Sequence, residues 1–451
     1  MFSHMMVGSD DMDRSKKFYD ALFQSIGGKE GIVDPKGRLM YLHNDSIFLV
    51  TPPINGEKAS CGNGMTIGFA MENPAQADAW HKAGLEAGGT AIEDPPGVRD
   101  NPDGLRQVPD KIIRIGGASG FWGESAIATP QLLGAGVDYL VYDYLAEITM
   151  SIMARAHARD PAAGFAGDFI SAVLKPHAKA IAAQGVKVIA NAGGVNPASC
   201  GKAARALIKE QGLDLKVAVI TGDNLLADVD AIAADAPAEM FTGAAFPDKD
   251  KIASINAYLG AFPIARALAE GADIVITGRC VDSAVTLGAC IHEFGWSESD
   301  YDLLASGSLA GHLLECGPQA TGGNYTDWED AGDIANIGYP IGSVSADGSF
   351  TVTKPDGTAG CVTVGTVSEQ MLYEIGDPQA YFLPDVVCDF SSVEIVQTGP
   401  DMVRVSPAKG YPAPDHYKTC LTYGEGFRGG TSVSFYGFDA ARKAQKFCDN
   451  V

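Results

Sequence analysis

The sequence predicts an α/β protein whose centre is a parallel sheet with helices on both faces. Continuous apolar segments at 137–145, 186–191, 216–221 and 272–277 alternate with stretches of helical periodicity, including a long predicted helix at 250–270, which is typical of parallel strands buried on both sides. From about Gly338 the pattern changes to short alternating segments with turns, which predicts an α+β portion. A chain of 451 residues suits two or three domains. We delimit an α+β module at 1–105 and a second domain at 110–451, which consists of an α/β core at 110–325 and a mixed α+β portion at 338–451.

The first hundred residues contain an internal repeat of a strand, a helix and further strands. FSHMMVG at 2–8 predicts a strand, and 11–27 predicts a helix with Phe18, Leu22 and Phe23 on one face. Strands at 38–44 and 46–53 follow. The order then restarts with a strand at 64–71, a helix at 74–89 and a strand at 90–95.

This repeat resembles the vicinal-oxygen-chelate fold of glyoxalases, bleomycin-resistance proteins and extradiol dioxygenases over about residues 1–105. The resemblance rests on His4, on FYDALF in the first helix, on DPPGVR at 94–99 and on NPDG at 101–104. It implies that each half of the module provides a metal ligand on its first strand and a glutamate ligand near its end. Of these positions, only His4 carries a suitable residue. Because one imidazole cannot hold a catalytic metal, we expect a structural module that binds metal through His4 only if other ligands join it.

The second half of this module is too short for the last two strands of that fold, so we expect an unpaired sheet edge. A neighbouring domain or a second copy of the chain would have to cover such an edge. The sequence therefore favours a homo-oligomer.

Composition limits the partners and the compartment. The chain has 33 basic and 56 acidic residues, a net charge of −23, which disfavours nucleic acid and anionic membranes as partners. The nine cysteines form no CxxC pair, which indicates reduced thiols. The acidic N-terminus and the lack of a long apolar run predict a cytoplasmic protein.

The stretch KIIRIGGASGFWGES at 111–125 predicts a strand that breaks into a glycine-rich turn and then a helix. Backbone N–H groups at such a helix start favour an anion, so Gly117, Ser119 and Gly120 are candidate substrate-binding residues. The spacing is GxxGxxG rather than GxGxxG, and a tight connection without a ligand explains it equally well.

Polar residues follow each predicted strand of the Rossmann-like core. Ligands of parallel α/β sheets bind beyond the carboxyl ends of the strands, so we expect one crevice lined by these side chains. The alternative is that the Asp and Asn residues only cap helices and turns. The candidates are Asp143 with Glu147, Asn191 and Asn196, Asp223 and Asn224, and Arg279 and Asp282.

The segment GSLAGHLLECGPQATGGNY at 307–325 places His312, Glu315 and Cys316 within five residues. On a helix His312 and Cys316 share a face and Glu315 is adjacent. They could form an acid/base and thiol pair or provide two soft metal ligands. A buried cysteine and histidine that only pack and hydrogen-bond are the alternative.

Together with IRIGGASGFWGES, the motifs NAGGVNP, TGDNL, ADIVITGRCVDSA, LLECGPQATGGNY and IANIGYPI resemble the acyclic terpene utilisation family, AtuA, over about residues 110–450. The resemblance implies a role in bacterial pathways that degrade isoprenoids of the citronellol and geraniol type. It indicates a pathway more clearly than a reaction.

We therefore favour a catabolic enzyme, a lyase, hydratase or isomerase, that acts on a small carboxylated or CoA-linked isoprenoid intermediate. Asp223 or Asp282 would be the base and Arg279 the carboxylate clamp, while Asn191, Asn196 and Asn224 would orient the substrate. A CoA thioester would enter as part of the substrate, and a metal is not expected. Two alternatives stay open: a non-catalytic binding or assembly subunit of the same pathway, and a metal-dependent glyoxalase-like lyase in the first module.

Overall fold

A computed structural model describes residues 5–43, 46–53, 55–59, 67, 69, 71, 74–91, 111–124, 126–426, 430 and 432–449. The chain divides into two compact units, residues 1–107 and 108–451.

The first unit contains a four-stranded sheet and two helices. Its elements are β1 (Met5–Gly8), α1 (Met12–Ser25), β2 (Ile32–Val33), β3 (Leu39–His43), β4 (Ser46–Thr51) and α2 (Pro74–Glu86). The strand order is β1-β4-β3-β2, with β1 parallel to β4. Helix α1 begins at a capping Asp11, whose side chain accepts a hydrogen bond from the Arg14 N–H, and buries Leu22 and Phe23 as its periodicity predicts.

Both predicted helices and the strands at 38–44 and 46–53 are present in this unit. Its small core is aromatic, with the Phe23 ring stacked 4.7 Å from that of Tyr41. His4, the DPPGVR and NPDG segments and most of the predicted strands at 64–71 and 90–95 lie outside the described residues.

The second unit contains most of the chain. Its strands are β5 (Ile112–Gly117), β6 (Tyr139–Tyr142), β7 (Lys187–Ala190), β8 (Val217–Ile220), β9 (Ile252–Ala257), β10 (Ile274–Thr277), β11 (Ile341–Ser345), β12 (Phe350–Thr353), β13 (Tyr381–Phe382), β14 (Val387–Asp389), β15 (Ile395–Gly399), β16 (Met402–Val405), β17 (Lys409–Tyr411) and β18 (Thr419–Tyr423). Its helices are α3 (Ala128–Gly134), α4 (Glu147–Arg159), α5 (Lys175–Gln184), which continues a π-helical turn at Phe169–Leu174, α6 (Pro197–Glu210), α7 (Val229–Asp235), α8 (Phe262–Ala269), α9 (Ala284–Phe294), α10 (Tyr301–Leu314), α11 (Val364–Leu372) and α12 (Ala440–Cys448).

A nine-stranded sheet forms the centre of this unit, in the order β15-β16-β12-β11-β5-β6-β7-β10-β8. The strands from β5 to β8 in this order pair in parallel, which confirms an α/β fold with a parallel sheet. The order differs from the 3-2-1-4-5-6 order of dinucleotide-binding sheets.

Alternate residues of the parallel strands enter two different cores. Ile115, Val141 and Val275 pack in one cluster with residues of α8, α9 and α10. Leu140 and Ile276 pack in the other with residues of α3, α5 and α6. Both sheet faces are therefore covered by helices, which explains why the strand sequences are continuously apolar.

One expectation needs correction. The segment 250–270 is not one long helix, because residues 252–257 form β9, which pairs with β18, and the helix begins only at Phe262. Pro263 in the first turn, where its missing N–H is harmless, fits this start. The antiparallel strands of the later portion join the core sheet, since β11 pairs antiparallel with β5 and β12, β16 and β15 extend the same sheet.

Among the described residues, none of the helices is long and apolar enough to cross a membrane. The eight cysteines within the described ranges are free thiols, as the absence of CxxC pairs predicts. The parallel strands place the ends of β5, β6, β7, β10 and β8 along one edge of the sheet, and that edge carries the polar residues described next.

Candidate active site

Asp143 and Asn191, which follow β6 and β7, are in direct contact. The Asn191 Nδ2 donates a hydrogen bond to Asp143 Oδ1, and the Asn191 Oδ1 accepts one from the Tyr144 N–H at 2.7 Å. Asp143 is 6% exposed and Asn191 is fully buried. Ser119, after β5, joins them through its hydroxyl, which donates to the Asp143 carbonyl oxygen at 3.3 Å. Three neighbouring strands thus end in one hydrogen-bonded group.

Arg279, in the loop after β10, is the central cation. Although only 2% exposed, it uses Nη1 to donate to the Leu145 carbonyl oxygen and to Asp282 Oδ1, each at 2.8 Å. Its guanidinium lies 4.1 Å from the centroid of the Tyr258 ring, an arrangement that stabilises a buried cation. Its Nε has no hydrogen-bond partner in the described part of the chain.

Asp223, after β8, supports the loop that carries Arg279. Its Oδ2 accepts hydrogen bonds from Asn256 Nδ2 at 2.8 Å and from the Arg279 N–H at 2.9 Å. A Cβ at Gly278 would lie 2.5 Å from this carboxylate, so only glycine allows the loop to pass so close. Burial raises the Asp223 pKa, and these two donors oppose the rise.

His312 and Glu315 form a buried pair at the carboxyl end of α10. His312 Nδ1 lies 2.9 Å from Glu315 Oε1, without the alignment of a hydrogen bond, and His312 Nε2 has no partner among the described residues. Burial raises the Glu315 pKa to about 7, with His312 opposing. Burial lowers the His312 pKa, but the charge and proximity of Glu315 outweigh that effect and raise it. The two groups therefore titrate as a pair rather than as separate residues.

Electrostatic interactions connect these groups into one cluster. Burial raises the pKa of Asp143 well above its usual range; Asp282 and Glu315 raise it further, while Arg279 and Asn191 lower it. Asp282 likewise raises the pKa of Glu315. Perturbed carboxyls grouped around a buried cation are characteristic of catalytic sites.

The glycine-rich loop after β5 differs from its expected geometry. Helix α3 begins only at Ala128, so no helix start lies at the glycines. The Gly120 N–H donates to Glu124 Oε2 at 2.6 Å, and the Gly123 N–H donates to Asp168 Oδ2 at 3.1 Å. Carboxylates of the protein therefore occupy the N–H groups expected to bind an anion.

Packing explains these glycines. A Cβ at Gly117 would lie 3.1 Å from the Leu314 carbonyl carbon and closer still to its oxygen, and one at Gly120 would lie 2.8 Å from the Cys316 Cα. The loop thus packs against the end of α10, next to Glu315. A cavity of about 20 Å³ between Ser119, Glu124 and Asp168 has room for about one water molecule.

Two of the predicted substrate ligands make local hydrogen bonds in caps and turns. Asn196 caps α6, since its Oδ1 accepts from the Ser199 N–H and its Nδ2 donates to the Pro161 and Ala163 carbonyl oxygens. Asn224 is exposed, and its Oδ1 accepts from the Leu226 N–H in a local turn. Cys316 lies beside the cluster, where burial raises its thiol pKa and the charge of Glu315 raises it further. A thiol with a raised pKa is a poor nucleophile.

Tyr258 and Lys418 belong to the site but were not predicted from the sequence. The Tyr258 ring lies between Arg279 and Lys418, whose Nζ is 4.7 Å from the ring centroid. The Tyr258 hydroxyl donates to Glu147 Oε1. Only the apolar alternation of β9 could have indicated that Tyr258 follows a strand.

The cluster is closed toward its centre and open at one side. The side chain of Asp282 is 29% exposed, and those of Glu147 and Lys418 are more exposed still. Within the described ranges, no three His, Cys, Asp or Glu side chains are grouped as in a metal site. Of the three carboxyl groups of Asp143, Asp282 and Glu315, that of Asp282 is the most accessible to a molecule arriving from solvent.

Comparisons with known proteins found a family and a solved structure to which parts of the chain are similar. The family described as acyclic terpene utilisation family protein AtuA matches residues 113–451. A solved structure of a glyoxalase/bleomycin resistance protein from Albidiferax ferrireducens T118 is 50% identical over 22% of this chain and 80% of that chain, with a TM-score of 0.21. No curated protein matches the sequence.

Proposed function

The chain belongs to the acyclic terpene utilisation family, and on this premise we propose that it is a catabolic enzyme of acyclic isoprenoid degradation. Its substrate is a small carboxylated or CoA-linked intermediate, and its reaction is that of a lyase, hydratase or isomerase. The supporting observation is the buried cluster of Arg279, Asp143, Asp282, His312 and Glu315 at the carboxyl ends of the parallel strands. Burying so many charged groups costs stability. Their position at the ends of the strands favours catalysis as the reason for which the protein bears that cost.

These reactions share one step, the removal of a proton from a carbon beside a carbonyl group. We assign Asp282 as the base because its carboxylate reaches the surface while its Oδ1 is held by Arg279. The C–H electron pair forms the enolate double bond, the carbonyl π pair moves to oxygen, and Asp282 takes the proton. Asp223, the other predicted base, is bound by two donors beneath the Arg279 loop and supports that loop.

Arg279 stabilises the negative charge that the step creates. Its guanidinium is held by the Leu145 carbonyl oxygen and the Tyr258 ring, so it needs no rearrangement when the oxyanion forms. The His312 and Glu315 pair, whose pKa values are both raised, donates a proton to the product carbon, and the proton on Asp282 replaces it, so that the site returns to its starting state. Lys418 at the open side suits the carboxylate or phosphate groups of an anionic substrate.

The test uses purified protein with a panel of acyclic isoprenoid acids and their CoA thioesters, with products followed by mass spectrometry. Asp282→Asn keeps the shape of the side chain but cannot accept the proton, so we expect turnover to fall by about a hundredfold or more. Glu270→Gln is the matched control, because Glu270 directly follows helix α8 and its exposed side chain pairs with that of Arg266 at the surface. Turnover by Asp282→Asn equal to that of the wild type refutes the assignment. If the wild type turns over none of the panel yet co-purifies with a pathway protein, the assembly-subunit alternative gains instead.

A further inference from the structure

The hydrogen bonds around Asp143 fix which of its oxygens can carry a proton. The Tyr144 N–H is a donor, so the oxygen of the Asn191 side chain must face it. Asn191 Nδ2 then donates to Asp143 Oδ1, which also accepts from the Leu145 N–H at 3.4 Å. Oδ1 is thus an acceptor only. The described hydrogen bonds leave Oδ2 without a donor, so Oδ2 is the position for a proton.

The charge balance of the cluster requires such a proton. Three carboxyl groups, those of Asp143, Asp282 and Glu315, interact with each other around two cationic groups, Arg279 and His312. Asp282 is paired with Arg279 and Glu315 with His312. Asp143 pairs directly with neither cation, and a third negative charge in this buried site would be uncompensated.

We propose that Asp143 is held as a neutral carboxylic acid and that its Oδ2–H donates a hydrogen bond to the carbonyl oxygen of the substrate. This role rests on the proposed function and extends it, since Asp143 and Arg279 together would form the oxyanion site. A carboxylic acid kept neutral by its surroundings is an effective donor of this kind.

The other groups that face Asp143 are consistent with a retained proton. Burial, Asp282 and Glu315 raise its pKa, against Arg279 and Asn191. The remaining titratable neighbours are the thiols of Cys280 and Cys316, whose pKa values burial raises and which therefore stay neutral. None of these thiols supplies a positive charge that would favour the ionised form of Asp143.

Asp143→Asn is the most informative variant, because an amide has the shape of a carboxylic acid. Its oxygen accepts from Asn191 and its Nδ2–H replaces the proposed O–H donor. Infrared spectroscopy of protein with ¹³C-labelled aspartate should show the carbonyl band of a protonated carboxyl group at neutral pH. We expect Asp143→Asn to remove this band and Asp223→Asn to retain it. Absence of the band from the wild type, or its loss only in Asp223→Asn, overturns the proposal.

The pH dependence of stability gives a second, independent test. A raised pKa in the folded state contributes stability that is complete below about pH 3.9, the ordinary aspartate value, and is lost as pH rises through the folded value. The wild type should therefore lose stability relative to Asp143→Asn as pH rises above about 4. A variant that is less stable than the wild type by the same amount throughout this range contradicts a neutral Asp143.

The role of Asp143 as a hydrogen-bond donor can be tested by ligand binding. The affinity for citronellic acid, used as the probe, is measured by calorimetry. Asp143→Asn should bind it like the wild type, and Asp143→Ala about tenfold more weakly. Equal binding by both variants overturns the donor role. If the wild type binds no probe although the infrared band is present, the proposed function fails while the protonated state of Asp143 stands.

Discussion

Gly117→Ala tests whether packing between the β5 loop and α10 positions the catalytic cluster. A Cβ at Gly117 would lie 3.1 Å from the Leu314 carbonyl carbon and nearer to its oxygen. Because the obstacle is backbone, no side-chain rotation can remove the clash. Either β5 or the end of α10 must move, and Glu315 directly follows that end.

Overpacking of this kind costs about 1–3 kcal/mol, and the rigid obstacle places the expected cost at the upper end. The unit spans residues 108–451, for which the unfolding entropy is about 0.7 kcal/mol per kelvin. A loss of about 3 kcal/mol therefore lowers the unfolding midpoint by about 4 °C. The shift of α10 should also separate His312 from Glu315 and weaken the interaction between the two side chains.

Differential scanning calorimetry measures the midpoint, and hydrogen exchange of peptides covering residues 309–317 reports on the end of α10. Gly134→Ala is the control, because Gly134 is the last residue of α3 and nothing lies within 4 Å of a Cβ there. Alanine favours the helix over glycine by up to about 1 kcal/mol, so the control should be neutral or slightly stabilising. If Gly117→Ala keeps the stability of the wild type but loses ligand binding, the glycine serves the ligand and the packing argument is refuted.

Three further predictions concern single side chains. Burial raises the folded Glu315 pKa to about 7, so the contribution of Glu315 to stability is complete below about pH 4.3 and is lost as pH rises through about 7. Glu315→Gln should reduce this pH dependence of the thermal unfolding midpoint. An unchanged pH dependence of the midpoint contradicts the raised pKa. Asn196→Ala removes the cap of α6 and should cost about 1 kcal/mol in urea unfolding without weakening probe binding, whereas weakened binding would restore Asn196 as a ligand. Iodoacetamide should modify exposed Cys448 before Cys316, whose thiol pKa is raised by burial; peptide mass spectrometry showing Cys316 modified first would support a catalytic thiol.

Sequence reasoning worked where a local pattern has one structural solution. Apolar segments that alternate with helices can be buried only as a doubly covered parallel sheet, and the ends of such strands meet along one edge. Asp143, Asn191, Asp223 and Arg279 could therefore be expected together, and the structure joins them in pairs. Which of them would face a substrate did not follow, since Asp and Asn also suit caps and turns.

Sequence reasoning failed where a distant segment decides the local structure. Residues 252–257 form a strand because β18, more than 160 positions later, pairs with them, so Tyr258 was placed within a helix. Lys418 reaches the site through that pairing, and the Tyr258 N–H donates to the Lys418 carbonyl oxygen at 3.0 Å. Gly117 and Gly120 were assigned to a ligand because nothing in their own sequence shows that α10 ends against them.

The pairing of Arg279 with Asp282 favours reactions that move a proton within the site. While Asp282 is ionised it balances Arg279 at 2.8 Å. Under the proposed function, Asp282 no longer does so once it has taken the substrate proton, and the new enolate oxygen becomes the partner of Arg279. The total charge of the buried cluster is then the same before and after the step, so no charge has to be created in a region of low dielectric constant. A step that placed a new unpaired charge in this site would lack that compensation, which is why proton abstraction beside a carbonyl suits these residues better than a reaction that starts from a charged nucleophile.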